Sequence, residues 1–423
     1  MNTVLRPSRE DWPLLCRRAQ QDDDLIAGRV RDILTRIKEG GEPALREIVK
    51  DIEGTVPDDF RVPEAEISGA GEIVPQRLKD AVREAKNRIE AFHRLQKPED
   101  ISLEGGGIIC KRRFLPIDRV GLYIPGGSAP LFSTILMLAV PAAIAGCRET
   151  VLCTPQRRDG SIAPEILYTA SLCGIREIYR LGGAQAIAAM AYGAGTIQPV
   201  DKIFGPGNRY VMKAKQLVSA EGVAIDMPAG PSEVMVLADG SADASFVASD
   251  LLSQAEHGPD SQVMLVTCSE SFAEAVSLEV DRQLAALPRK SIAGAALGNS
   301  RAVILDTRED IIDFANCYAA EHLIISMEDP WKVAGGIRAA GSVFIGNHSP
   351  ESAGDYASGT NHTLPTMGCA RAFSGIGTES FMHGITYQEL SPEGLRSISD
   401  TIVEMAEAEG LQAHAEAVRT RLS

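Results

Sequence analysis

Gln254 and His257 stand three residues apart in Ser253-Gln254-Ala255-Glu256-His257-Gly258. On a helix, positions i and i+3 share a face, so an amide and an imidazole can converge there on one cation or one substrate. The same six residues also read as a polar helix end, because Gly258-Pro259 stops a helix and leaves both side chains in water. Glu321-His322, at the entry to a predicted strand, is a second candidate. Histidine, with an ordinary pKa of ~6.5, is the natural base near neutral pH, and an adjacent carboxylate tunes it or activates a water. A strand-edge charge pair is the plainer alternative. Residues 351–362 are dense in small and polar side chains, wrong for a core and right for an ordered functional loop. Asp355 within them would supply the hard oxygen ligand that Gln254 and His257 lack. Near the C-terminus, Glu409 and His414 add a carboxylate and an imidazole that, taken alone, read as surface decoration.

The elements that must position these residues alternate. Short apolar runs at 120–124, 150–154, 177–181, 233–237, 262–267, 302–305, 322–326 and 341–346 are separated by helical segments, which implies parallel sheets covered on both faces. Two sheets are expected, changing over near Pro228-Ala229-Gly230-Pro231. Helices rich in charge are predicted over 8–50 and 76–97, with Pro57, Pro63 and Pro75 punctuating a polar connection between them. From about residue 390 the chain reads as a Glu- and Ala-rich amphipathic helix that must pack on something else, such as a second subunit. Three glycine turns follow strands: 123–128, 181–185 and 204–208. Turns of this kind let a phosphate or nucleotide approach the backbone beyond the carboxyl ends of a sheet, although none is G-x-G-x-x-G. Each alone reads equally as a tight turn.

Composition excludes several classes. The formal charge of −15 argues against a polyanion binder, and no Lys/Arg run marks a nucleic-acid patch. Residues 129–146 form an apolar stretch, but it is short for a membrane span and broken by Pro141, so a buried helix is expected. Residues 1–7 lack the apolar core of a signal peptide, so none is expected. Eight scattered cysteines without Cys-x-x-Cys read as reduced thiols in a cytoplasmic protein.

The motifs together resemble the histidinol dehydrogenase family from about residue 20 onward. The resemblance is carried by residues 121–127, 182–188, 204–208, 226–233, 253–258, 320–323, 351–362 and 409–414. It implies two Rossmann-like α/β domains with parallel-rich sheets covered by helices, plus small helical N- and C-terminal extensions that mediate dimer contacts. The expected boundaries are an extension at 1–19, a discontinuous zinc and substrate domain at 20–122 and 232–376, an NAD domain at 123–231, and a dimerisation tail at 377–423.

The resemblance further implies oxidation of L-histidinol to L-histidine, the last step of histidine biosynthesis, with one Zn²⁺ per subunit and two NAD⁺. Carried over by motif, Gln254, His257, Asp355 and His414 would hold zinc, and Tyr123, Gln185 and Asn208 would contact NAD. Ser232, Glu321, His322, His362 and Glu409 would line the substrate site, with Glu409 and His414 supplied by the partner of a homodimer. His322 would be the general base and Glu321 the activator of water. Two departures stand out: His383, where the family usually has Lys or Arg nearby, and Ala320, where Pro is common. A sister activity on another zinc-chelating or anionic alcohol is the nearest alternative, and a catalytically silent nucleotide-binding protein is the other. A cysteine mechanism through Cys147 or Cys153 is the chemical rival, though each reads first as a buried structural thiol.

Overall fold

A computed structural model describes residues 1–18, 23–126, 129–228 and 230–423. Two parallel sheets organise the chain. The larger takes its strands in the order Asn2–Leu5, Arg301–Ile304, Gln262–Thr267, Glu233–Ala238, His322–Ser326 and Ser342–Ile345, every neighbouring pair parallel. The smaller runs Glu177–Arg180, Glu149–Thr154, Arg119–Tyr123, Lys202–Phe204 and Ala224–Ile225, again parallel throughout. All eight strands read from the sequence are present. The central strands Glu233–Ala238 and Gln262–Thr267 are buried at every position, which is why they read as continuous apolar runs rather than alternating ones.

Alternate residues of the smaller sheet face two different cores. Tyr123, Val151, Cys153 and Tyr179 pack on one side with Ile37 and Ile48, while Leu122, Leu152, Ile178 and Phe204 pack on the other with Ile67 and Ala70. The helix Asp23–Glu53 lies on Gly183–Tyr192 and Arg209–Ala220, Glu64–Ile73 on Pro164–Leu172, and Gln76–Arg94 on Ser133–Ala145. A parallel sheet must be covered on both faces, and the preceding helices supply cover that the sheet's own crossovers do not.

Other departures have similarly local causes. The connection between the two charged helices contains the helix Glu64–Ile73, entered through Pro63. The N-terminal extension contributes an edge strand, Asn2–Leu5, as well as the short helix Trp12–Leu15; four residues carry too little periodicity to announce a strand. A third, antiparallel sheet of Met382–Leu390, Ile108–Pro116 and Ile101–Gly105 was not legible either. Both its faces are largely exposed, so no buried face imposes alternation. The expected helical tail follows as Pro392–Ala408 and Gln412–Leu422.

The apolar stretch near 129–146 forms the helix Ser133–Ala145, buried along almost its whole length and closed by Gly146 at φ +97°. Among the described residues, no helix is long and apolar enough to cross a membrane.

Candidate active site

The helix Ala244–Ala255 ends one residue beyond Gln254, so His257 stands in the turn that follows rather than on a continuous helical face. The pair still converges, because Glu256 keeps near-helical angles and the His257 N–H donates to the Gln254 carbonyl at 3.2 Å. Gln254 is buried, and its neighbours set the sense of its amide. The amide nitrogen faces Glu351 and donates to its carboxyl oxygens, which places the amide oxygen beside His257 Nδ1.

Residues 351–356 are a short helix rather than the start of a loop, and this places Glu351 and Asp355 four apart on one face. Potential ligand atoms of His257, Glu351 and Asp355 lie within 4.8 Å of one another. Glu351 carries no role in the sequence reading; its spacing from Asp355, seen as a helical pair, is the signal that would have found it.

His322 begins its strand beside Glu233–Ala238, in register with Val234. Its Nδ1 donates to the Glu233 carbonyl at 3.3 Å. Its Nε2 lies 3.5 Å from Asp355 Oδ1 and is buried with no hydrogen-bond partner among the described residues. Glu321 accepts the Glu233 N–H at 2.8 Å. Ser232, half-buried, directly precedes that residue.

His362 donates from Nδ1 to the Asp355 carbonyl at 2.9 Å, and its Nε2 meets the Thr134 hydroxyl at 3.2 Å. Burial keeps its pKa low, so it is neutral. Thr134 was given no role by sequence, being one of two adjacent hydroxyls, with Ser133, inside an apolar run.

Charge is crowded here. Burial first, then the neighbouring carboxylates, raise Glu351 well above the carboxylate range, and burial lifts Asp250 to about 7. Burial is also the main cause that pushes Glu321 up to about 8. Burial alone would lower His322, but Glu351, Glu321 and Asp355 outweigh it and push it up to about 10. Both shifts act on stability in the same direction. A carboxyl whose folded pKa exceeds its unfolded value of ~4.3 makes the fold less stable as pH rises between the two values. A histidine raised above ~6.5 contributes stability that is full below that pH and is lost as pH rises through about 10. Metal-stripped protein is therefore expected to melt at progressively lower temperature from about pH 6 to about pH 9. The His322→Asn variant should show a shallower decline in the same melting series; a flat profile for the unsubstituted chain would contradict the charge assignment.

The glycine turns gather at the carboxyl end of the smaller sheet. Tyr123 closes its strand, and its hydroxyl accepts the Gly183 N–H at 3.1 Å. Gly205, at φ +125°, lies against the Tyr123 carbonyl so closely that a Cβ would overlap it. The turn is held by a buried pair, Lys215 Nζ to Asp226 Oδ1 at 2.5 Å, whose members also bond the Gly205 carbonyl and N–H. Asn208 caps the helix Arg209–Ala220 by accepting from Tyr210 and Val211. Gln185 donates to Glu53 at 3.0 Å. Gly127 and Ser128 of the first turn, and Ala229 of the expected changeover, lie outside the described residues.

The donor cluster sits at the amino ends of the larger sheet's strands, contrary to the usual carboxyl-end placement. Contacts between the two regions include the Thr134 hydroxyl, on the helix after the first turn, with His362, and Arg209, directly after the third turn, with Asp260, three residues beyond His257, at 2.6 Å. A cavity of about 920 Å³ opens beyond Glu149–Thr154 and Glu177–Arg180, lined in part by Arg61, Gln156, Arg157 and Arg180. None of the donor-cluster residues lines it, so this cavity is not where the chemistry gathers.

Glu409 and His414 are not brought to the cluster by this chain. Both are exposed, Glu409 just beyond the helix Pro392–Ala408, which packs beside the third sheet, and His414 on the helix Gln412–Leu422 paired with it. The thiols are not activated: burial raises Cys153 strongly and Cys147 to about 11.

Amide, imidazole and carboxylate donors beside a buried histidine form a group that could hold a metal ion, and with glycine turns on a parallel sheet they are the features of an α/β enzyme site. A family model for histidinol dehydrogenase matches residues 16–422. A histidinol dehydrogenase of Bacteroides fragilis is 51% identical over 423 residues, covering 100% of this chain and 99% of that protein. One from Aliivibrio fischeri is 49% identical over 421 residues, covering 99% and 95%. The crystal structure of histidinol dehydrogenase from Elizabethkingia anophelis superposes with a TM-score of 0.96 at 49% identity, covering 100% of this chain and 98% of that one. The chain belongs to the histidinol dehydrogenase family, and is an oxidoreductase.

Proposed function

We propose that the protein oxidises L-histidinol to L-histidine through the aldehyde, reducing two NAD⁺, as the last step of histidine biosynthesis. The observation that carries this is the convergence of Gln254, His257 and Asp355 next to the unpartnered Nε2 of His322. The amide, imidazole and carboxylate donors suit Zn²⁺, and three of four ligands come from one chain. Bound zinc would supply a template for the substrate's amine and imidazole nitrogens, and His414 of the partner subunit would complete its ligands.

The chain's own residues do the rest. With the site's negative charge met by a cation, His322 no longer keeps its extra proton and its Nε2 becomes a base. It takes the alcohol proton as a hydride leaves for NAD⁺, giving the aldehyde. Glu321 helps a water add to the aldehyde, and His322 takes a proton from the resulting gem-diol as a second hydride leaves. The sum is one alcohol, one water and two NAD⁺ giving one carboxylate, two NADH and three protons. His362 and Ser232 frame the substrate, and the burial of Glu321 and His322 keeps the reacting end of the aldehyde from bulk water.

For the cofactor, Tyr123, Gln185 and Asn208 are the proposed contacts, all at the carboxyl end of the smaller sheet. Gln156 of the cavity of about 920 Å³ donates to the Thr55 carbonyl, two residues beyond the Glu53 that Gln185 bonds, so the cavity adjoins the proposed cofactor contacts. A homodimer is proposed from the exposed third sheet and tail, where Ile101, Leu103, Tyr387, Met405 and Leu411 remain uncovered. The test is NADH formed per histidinol consumed, with and without chelator. Two NADH, lost on chelation and restored by Zn²⁺, is the expected result. Turnover of another amino alcohol but not histidinol would replace the reading with a sister activity.

A further inference from the structure

We propose that Arg18 is a positioning residue for the proton-transfer pair, acting through Glu233; this rests on the reading of Glu321 and His322 given above. The peptide of Glu233 holds both members: its N–H donates to Glu321 Oε2 at 2.8 Å, and its carbonyl accepts from His322 Nδ1 at 3.3 Å. The second bond decides which nitrogen of His322 is available. With Nδ1 committed to the carbonyl, Nε2 is the one left toward Asp355.

What holds that peptide is the Glu233 side chain, which is 1% exposed. Arg18 grips its carboxylate with two bonds, Nε to Oε1 at 2.9 Å and Nη2 to Oε2 at 2.7 Å, and the Met367 N–H donates to Oε1 at 2.8 Å. The same guanidinium stacks on the Tyr318 ring at 3.7 Å and donates to the Tyr318 carbonyl at 2.8 Å. Tyr318 leads into Ala319, a non-glycine residue at φ +54°, and then into Glu321-His322. One planar cation therefore ties the strand that presents the holding peptide to the strained turn that presents the pair.

A buried ion pair is poor at adding stability, because desolvation consumes most of the attraction. Fixing geometry is the use that accounts for it here. The two parallel bonds and the ring stacking require a guanidinium; a lysine ammonium provides neither.

The test uses the full-length, Zn²⁺-loaded protein and three variants, Arg18→Ala, Arg18→Lys and His322→Asn. For Arg18→Ala, kcat is expected to fall roughly 10–100-fold, the scale of a sub-ångström misplacement of reacting groups. KM for histidinol and for NAD⁺ should each stay within about threefold, with bound metal unchanged. Guanidinium at a non-denaturing concentration should recover part of the lost kcat. Unchanged kcat, or a loss that guanidinium does not recover, overturns the proposal. If Arg18→Ala does not fold, Arg18→Lys decides: reduced kcat with KM held supports positioning, and full kcat overturns it. His322→Asn separates the two levels. Full turnover in that variant sinks the underlying reading of the pair; its loss beside a fully active Arg18→Ala sinks only the role of Arg18.

Discussion

Replacing His322 with asparagine is expected to lower kcat by roughly 10²–10⁴-fold, the usual contribution of a positioned acid–base group. The geometry argues for an effect of this size. His322 is buried, its Nδ1 is held by the Glu233 carbonyl, and no other imidazole near Asp355 combines burial with a free nitrogen. His362 is occupied at both nitrogens and His257 faces the proposed cation. Asparagine keeps a donor toward Glu233 but cannot take up a proton, so folding and metal content should be preserved while both half-reactions slow. Steady-state kinetics with histidinol and separately with the aldehyde check this. Slowing of the alcohol step alone would remove His322 from the second half-reaction, and full activity in both would remove it from the mechanism.

The second large effect concerns the tail. His414→Ala alone is expected to abolish turnover, although this chain holds His414 exposed and apart from its own donor cluster. If the ligand acts across a two-fold interface, each site draws His322 from one chain and His414 from the other. Co-refolding equal amounts of His414→Ala and His322→Ala chains then gives mixed dimers with one doubly damaged site and one intact site. Random assortment makes half the dimers mixed, so about a quarter of full activity should return. Activity at the level of the separate variants, at every mixing ratio, would place His414 outside the site.

The recognisable part of this site is the part made of neighbours in sequence. Gln254 with His257, and Glu321 with His322, are each brought together by one turn of backbone, so their proximity survives any arrangement of the remaining chain. The strands bearing Glu233 and His322 were visible because fully buried parallel strands must be apolar at every position. The division into ligands, cofactor contacts and substrate contacts came with the family resemblance and not from spacing, since each short motif had an equally good structural reading.

Contacts between distant segments were not legible. Arg18 and Glu233 are separated by 215 positions, and Arg18 and Tyr318 by 300. Nothing in the local pattern of either segment records the other, because an ion pair imposes no periodicity on its flanks. Glu351 was hidden for a related reason: six residues, two of them serine and glycine, are too few to declare a helix, yet only in a helix do Glu351 and Asp355 share a face. The same applies to the helices that cover the smaller sheet and to the strand Asn2–Leu5, whose places depend on which apolar surface remained open. By itself, the sequence determined the alternating α/β order and the locally paired chemical groups, because both rest on backbone periodicity. The tertiary structure alone decided which amide face, which histidine nitrogen and which buried carboxylates meet, because those choices are made by packing across hundreds of residues.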